Sequence, residues 1–283
     1  MKISIGLPNQ VPNVRGDVIP GWARAAEDAG FSSLGSIGRI AFPGVMDTVA
    51  LAAAAGATSR IGLLPFVLLG PVWPAVLLAK EVASIDAVSG GRLTLGIGLG
   101  ARPDDFVADA RGPKGVGKRF DRDLEIYHQV WRGETPLGMN EPAVPAGTRE
   151  VPLLFGGFSP KAYERMAKWG TGYVAATFGP PMAAASFESA RAAWQEAGKT
   201  GEPRLVAAAY FGLGDPDAAR AGIHKYYEFT GDMADEFAGS VLTTPDAVKE
   251  AAKAFADIGS DELIFAPGTD DPDEVKRLAD VAL

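Results

Sequence analysis

Residues 151–174, VPLLFGGFSPKAYERMAKWGTGYV, contain the pattern that decides the fold of this chain. A short apolar run, Pro152–Phe155, ends at paired glycines and is followed by a proline suited to a first helical turn. Apolar side chains then recur at helical spacing up to Gly170, and a second apolar run begins at Gly172. The segment therefore predicts two parallel strands that are joined by a helix.

The same alternation extends along the whole chain. Apolar runs bounded by Gly or Pro predict eight strands that are covered on both faces, as in a parallel sheet. They lie at Ile3–Leu7, Ser33–Ile37, Ile61–Leu68, Leu93–Ile97, Pro152–Phe155, Gly172–Ala176, Arg204–Phe211 and Glu262–Ala266. Helical spacing between the runs, with no long polar linker, favours a closed (β/α)8 TIM barrel over a doubly wound sheet. We expect one α/β domain over residues 1–283, because barrels of ~250 residues form single domains.

Two connections are longer than a simple turn. The segment between strands 7 and 8, Gly212 to Gly259, is predicted to carry two helices, and the segment after strand 4 runs from Leu99 to about Gly117. Long loops in compact folds are usually functional or mobile, and barrels place their sites on loops that follow strands. We therefore expect the second segment to form a lid. Its basic side chains are either a solvated face or a contact for an anionic cofactor tail; they are Arg111, Lys114, Lys118, Arg119 and Arg122.

Composition excludes several classes of function. The net charge of −8 argues against a general nucleic-acid surface, which needs clustered positive charge. The absence of cysteine excludes disulfides, thiolate chemistry and cysteine-based metal sites. The first residues do not resemble a signal peptide, and no apolar run approaches the ~20 residues of a membrane span. We expect a cytoplasmic protein that binds neither nucleic acid nor membranes.

The turn Gly156–Ser159 is the first candidate site. Glycines let the main chain approach a ligand closely, and a helix N-terminus presents free N–H groups that attract phosphate. Ser159 adds a hydroxyl, and Lys161 lies near enough in sequence to add charge. On these residues alone an ordinary turn, with Ser159 as the helix N-cap, is the stronger interpretation.

Other candidates lie at the ends of neighbouring strands. Gly98 and Gly100 end the fourth strand and could clear room for a planar ring; their spacing does not fit a dinucleotide fingerprint. The run Leu64–Leu68, at the end of the third strand, could form a bulky wall. His128 and His224 fall in predicted helices, where they are expected to pack or face solvent. No histidine cluster exists, so we expect no metal site.

Together these segments resemble the luciferase-like class of flavin-dependent oxidoreductases. The matches keep one order along the chain, and the stretch 74–100 is the most specific. The resemblance implies a barrel that binds FMN or the deazaflavin coenzyme F420, acts on a small molecule and often forms a homodimer. The residues that carry it are Gly30–Leu34, Pro74–Asp86 (PAVLLAKEVASID), Ser89–Gly100 (SGGRLTLGIGLG), Arg119–Glu134, Val151–Val174 and 271–283 (DPDEVKRLADVAL).

The resemblance also implies roles for individual residues. The turn formed by Gly156, Gly157, Phe158 and Ser159 would hold the cofactor phosphate. With the resemblance, phosphate binding becomes the stronger interpretation of this turn, and the ordinary capped turn the weaker one. A non-prolyl cis peptide bond is expected near Phe66–Val67, behind the cofactor ring. Phe66, Val67, Gly98 and Gly100 would line that ring.

Departures from the family pattern concern the groups that move protons. Many members read Trp-x-x-Asp-His after the second strand, where this chain reads GSIGR at 35–39, so Arg39 stands at the histidine position. The sugar-phosphate dehydrogenase branch has an acid after the fourth strand, where this chain has Ala101. A sugar phosphate is therefore not the expected substrate. Arg39 is predicted to stabilise negative charge on a reduced ring, because a guanidinium stays protonated.

Four hypotheses follow. We favour an F420-dependent oxidoreductase, on the basic residues of the lid segment and on an Ala-, Gly- and Pro-rich composition typical of actinobacterial members. An FMN-dependent monooxygenase would use reduced flavin and oxygen and would need a separate reductase. A non-catalytic flavin- or deazaflavin-binding barrel would explain the missing histidine and acid. A barrel aldolase or isomerase would have no affinity for flavins.

Overall fold

The computed structural model describes residues 1–108, 110 and 112–283, without the side chain of Ala108. Arg111, one of the basic residues of the predicted lid, lies outside the described residues. The described strands are β1 Lys2–Gly6, β2 Ser33–Ser36, β3 Gly62–Pro65, β4 Leu68–Leu69, β5 Leu95–Gly98, β6 Leu153–Gly156, β7 Gly172–Val174, β8 Arg204–Phe211 and β9 Glu262–Pro267. They all belong to one parallel sheet, in the order β3-β2-β1-β9-β8-β7-β6-β5-β4.

The third strand of the barrel is divided. Its halves, β3 and β4, flank the bond Phe66–Val67, which is a cis peptide where the resemblance places one. The first half pairs with β2 and bridges through Leu63 to Leu93, while the second half pairs with β5. The sheet thereby closes on itself, and the predicted (β/α)8 barrel is confirmed.

The described helices follow the strands in alternation. Several of them end or begin at the residues that the sequence indicates. Gly30 and Gly90 adopt the left-handed conformation directly after the helices that end at Ala29 and Ser89. Thr244 caps the helix that begins at Pro245, since its hydroxyl accepts from the Ala247 amide at 3.2 Å. The helices are α1 Ile19–Ala29, α2 Asp47–Ala57, α3 Ala75–Ser89, α4 Pro103–Ala108, α5 Val116–Trp131, α6 Pro160–Trp169, α7 Pro180–Glu196, α8 Pro216–Tyr227, α9 Met233–Gly239, α10 Pro245–Asp257 and α11 Asp273–Ala282.

Two clusters of buried side chains position the site. The larger lies between the sheet and the outer helices. The smaller fills the barrel interior and includes Ile223 of α8 and Phe237 of α9. The segment between β8 and β9 thus carries three helices, where two were predicted, and the first two pack onto the interior cluster.

The opposite end of the barrel is closed by a polar group. Glu262 is fully buried and accepts hydrogen bonds from Ser4 and Arg204. Since a buried carboxylate needs such partners, the bonds from Ser4 and Arg204 stabilise Glu262 at this end of the barrel. Among the described helices, none is both long and apolar enough to cross a membrane.

Candidate functional site

A cavity of about 330 Å³ opens beyond the carboxyl ends of β5 and β6, beside Val67. It brings together the predicted glycines Gly98 and Gly100 and the whole predicted phosphate turn. Arg39 and Phe66 are not part of its described lining. The lining consists of Val67, Gly98, Leu99, Gly100, Ala101, Phe120, Phe155, Gly156, Gly157, Phe158, Ser159, Ala162 and Arg165.

The turn at one end of this cavity requires glycine. Gly157 has a φ of +120°, and a Cβ there would lie 3.2 Å from the Cβ of Ala162. Ser159 is the N-cap of α6, as its Oγ accepts from the Ala162 amide at 3.3 Å. A hydroxyl that accepts one bond still has a hydrogen to donate, so Ser159 can cap the helix and bind an anion together.

A buried arginine stands behind the turn. Arg165 of α6 is 7% exposed and lines the cavity. Its Nε donates to the Asp121 carboxylate at 2.6 Å, and its Nη2 donates to the Gly117 carbonyl at 3.2 Å. Lys161, the cation considered from sequence, instead pairs with Glu164 in solvent. Sequence reasoning missed Arg165, although it shares a helix face with Ala162, three residues before it.

The glycines at the strand ends have a packing role. A Cβ at Gly98 would lie 2.9 Å from Val67 Cγ2, and one at Gly156 would lie 3.0 Å from Val67 Cγ1. A Cβ at Gly100 would lie 2.9 Å from Leu69 Cδ2. The missing side chains therefore give room to Val67 and Leu69, and Val67 becomes a floor of the cavity between two glycines.

Phe66 points away from this floor. A Cβ at Gly35 would lie 2.5 Å from Phe66 Cε1, and Phe66 belongs to the interior cluster. Its side chain therefore packs inside the barrel, while Val67 faces the cavity. A contact between Phe66 and a cofactor ring stays a prediction for its main chain.

Comparison with known proteins assigns the chain to a family. The model of the luciferase-like monooxygenase family matches residues 2–280. The chain belongs to this family. An uncharacterized protein of Mycobacterium tuberculosis is 31% identical over 175 residues, which are 52% of this chain and 61% of that protein's length. The chain thus matches about three fifths of that curated relative.

Solved structures share the barrel of this luciferase-like chain. An F420-dependent secondary alcohol dehydrogenase superposes with a TM-score of 0.79 at 16% identity, over 99% of this chain and 97% of that one. The oxygenating constituent of the 3,6-diketocamphane monooxygenase from Pseudomonas putida, in complex with FMN, superposes with a TM-score of 0.75 at 18% identity, over 99% and 96%. At such identities the likeness concerns the fold.

Arg39 of this luciferase-like barrel holds the end of α8. Its Nη1 donates to the Tyr226 carbonyl at 3.0 Å and its Nη2 to the Ala41 carbonyl at 3.2 Å, while the guanidinium lies 4.3 Å from the centre of the Phe42 ring. Arg102 donates to the same Tyr226 carbonyl. The last carbonyls of a helix have no partner within it, so the two arginines act as a C-terminal cap.

Each of the two guanidinium groups also has a buried N–H donor without a partner among the described residues. Burial lowers the pKa of Arg39, and its Nε is buried without a hydrogen-bond partner, as is Nη1 of Arg102. Within the described residues, no carboxylate forms an ion pair with either. Asp105 instead accepts from the amides of Ile40 and Ala41, both at 2.9 Å, and so fixes the loop that carries Arg39. A role of Arg39 in chemistry stays a prediction.

A chain of hydroxyl groups crosses the barrel mouth. Tyr210 of β8 and Tyr227 of α8 are joined at 2.9 Å, and Tyr227 is joined to Thr177, which follows β7, at 3.0 Å. Burial raises the pKa of both tyrosines, so their hydroxyls stay protonated. The three residues are far apart in sequence, and sequence reasoning missed them.

The histidines have the packing and surface roles that the sequence indicates. His128 is buried in α5, binds Glu150 through Nδ1 at 2.6 Å and stacks on Trp169. His224 of α8 faces Asp235 at 3.3 Å and is half-exposed. Among the described residues, no group of side chains has the composition of a metal site.

Proposed function

We propose that this luciferase-like chain is an F420-dependent oxidoreductase that transfers hydride to or from a small organic substrate. The observation that carries the proposal is the cavity between the Gly156–Ser159 turn and the Val67 floor. A deazaflavin supplies the hydride chemistry, while the protein supplies orientation and exclusion of water.

The residues of the cavity suit such a cofactor. The positive end of the α6 dipole, the Ser159 hydroxyl and the buried charge of Arg165 together favour a phosphate at one end. The other end has an apolar floor, Val67, which takes the space that side chains at Gly98 and Gly156 would fill. We assign Gly156–Ser159 to the phosphate and Val67, Gly98 and Gly100 to the ring.

The preference for F420 rests on charge near the cavity. Phe120 of α5 lines the cavity, and Lys118 of the same helix and Lys114 just before it are exposed. An exposed lysine pair beside the cavity would attract the anionic tail of F420, which FMN lacks. The neighbouring F420 and FMN proteins share only the fold and favour neither cofactor.

The test is a comparison of cofactor affinities. Titration of the purified chain with F420 and with FMN, followed by fluorescence, should show tighter binding of F420. The double variant Lys114→Glu/Lys118→Glu should weaken F420 at least tenfold and leave FMN nearly unchanged. Lys253→Glu/Lys276→Glu, at exposed positions of α10 and α11, changes the net charge by the same amount and serves as the control. Tighter binding of FMN, or equal losses in both double variants, would exclude the F420 assignment.

A second candidate is an FMN-dependent monooxygenase. The description of the matching family as monooxygenases favours it. This function would need reduced flavin from a separate reductase. Oxygen uptake with chemically reduced FMN and a substrate panel would reveal it, whereas tight cofactor binding without turnover in either assay would indicate a non-catalytic barrel.

A further inference from the structure

A second cavity adjoins the first across a pair of aromatic rings. Phe158 lines the first cavity, and its ring meets the ring of Phe178 edge-on, with centroids 5.4 Å apart. Phe178 lines the second cavity, which has a volume of about 170 Å³. Small-molecule pockets usually measure ~300–1,000 Å³, so this one fits a compact ligand.

The walls of the second cavity are mainly apolar. Phe178, Phe237 and Met233 supply the apolar surface, and the hydroxyls of Thr177 and Ser240 supply polar groups. Glu236 is the single charged residue of the described lining. An anionic ligand would meet a like charge there without a cation in the described lining to offset it, so an uncharged ligand is favoured.

The hydroxyl chain behind this wall ends at Thr177, which lines the cavity. Tyr210 is 1% exposed, and its hydroxyl lies 2.9 Å from that of Tyr227, where either oxygen can be the donor. A buried hydroxyl that donates to nothing is costly, and Tyr210 avoids that cost by donating to Tyr227, which can then donate to Thr177. In this arrangement the hydrogen of the Thr177 hydroxyl can point into the cavity.

We infer that the second cavity is the substrate subsite and that Thr177 donates a hydrogen bond to a carbonyl oxygen of the substrate. The substrate class is a compact, uncharged, apolar molecule with a ketone or aldehyde group. This inference rests on the proposed function for its redox chemistry. Thr177 binds and orients the oxygen, while Tyr227 and Tyr210 are positioning residues that set the direction of the donor.

Binding of simple probes to the full chain tests the subsite without turnover. By calorimetry or ligand-observed NMR, cyclohexanone should bind about two- to tenfold more tightly than methylcyclohexane, as expected for one neutral hydrogen bond. Cyclohexanecarboxylate should bind at least tenfold more weakly than cyclohexanone. Thr177→Val should abolish the advantage of cyclohexanone over methylcyclohexane, and Thr177→Ser should restore it.

Tyr210→Phe removes the group that sets the direction of the chain. It should reduce the preference for cyclohexanone over methylcyclohexane, an effect that a general loss of packing would not produce. Tyr163→Phe, on the outer helix α6, is the matched control and should leave both affinities unchanged. Tighter binding of the carboxylate, or an unchanged cyclohexanone affinity in Thr177→Val, would overturn the inference.

Titration of the same samples with F420 and FMN separates the two proposals. If cyclohexanone binds with the expected pattern but neither cofactor binds, the proposed function fails and the subsite stands. If F420 binds more tightly than FMN but the probes show no dependence on Thr177, the subsite fails and the proposed function stands.

Discussion

Arg165 offers the most direct test of the phosphate end of the cavity. The side chain is 7% exposed and makes charge-assisted hydrogen bonds to Asp121, whose own side chain is 54% exposed. Replacing Arg165 by Met keeps the aliphatic bulk but removes the charge. Hydrogen bonds to charged groups are worth about 1.5–3 kcal/mol, so loss of one such bond to a phosphate should weaken cofactor binding about 10- to 100-fold.

Asp121→Asn separates the effect of the Arg165 charge on cofactor binding from the effect of the Arg165–Asp121 pair on stability. Both variants break the Arg165–Asp121 pair, and each should lower the free energy of unfolding by about 1–3 kcal/mol. Their effects on the cofactor should differ in sign, because removing the carboxylate exposes the phosphate to the full guanidinium charge. We expect Asp121→Asn to bind the cofactor as tightly as the unmodified chain or more tightly.

Fluorescence titration at low ionic strength measures the affinities, and urea denaturation measures the stabilities. If both variants lose affinity by the same factor, Arg165 acts only through the stability of α5 and α6. An unchanged affinity in Arg165→Met would place the phosphate elsewhere.

Three further predictions concern the backbone, α8 and pH. Gly157→Val should lower the free energy of unfolding by about 1–3 kcal/mol and should weaken the binding of phosphate-bearing cofactors more than that of the phosphate-free ring. Gly133 also has a positive φ, but no atom of the described residues lies within 4 Å of a Cβ placed there. Gly133→Val should therefore lower stability without changing cofactor affinity. Arg39→Met should lose about 2 kcal/mol of stability, and a fall in kcat that Arg102→Met does not share would support a chemical role for Arg39. Burial raises the pKa of Asp47 from 3.8 to about 6, so the folded chain holds this proton more tightly than the unfolded one. The stability difference between the unmodified chain and Asp47→Asn, measured by urea denaturation, should therefore shift against the unmodified chain by about 3 kcal/mol as pH rises from 3.8 to about 6.

The barrel itself could be predicted because its signals are local. Each strand is an apolar run with a Gly or Pro boundary, and β8 lies at Arg204–Phe211, the span that the sequence indicates. The helix α2 gave no such signal, because its run of alanines presents the same small side chain on every face. The cis peptide bond at Phe66–Val67 was expected from the family resemblance and not from the apolar run at 61–68.

The site could be predicted in part, for a similar reason. The glycine turn and the strand-end glycines are visible in sequence, and the cavity unites them. The contact of Thr177 with Tyr227 spans 50 residues of chain and exists only because α8 folds back over the barrel. Such a contact leaves no pattern in a single sequence, since hydroxyl residues are common in loops and helices that have no site.

The substitution of the family's usual histidine by Arg39 connects these features. Arg39 holds the carbonyl of Tyr226, and the residue after it, Tyr227, is the centre of the hydroxyl chain. The loop after β2 therefore contributes an anchor for α8, and α8 contributes polar hydrogens to the barrel mouth. Because tyrosine and threonine hydroxyls carry no charge at neutral pH, the mouth can bind an uncharged carbonyl without the proton-transfer pair of the sugar-phosphate branch. With a deazaflavin that supplies the hydride, Thr177 would hold the carbonyl oxygen, and the proton that completes the alcohol would come from solvent.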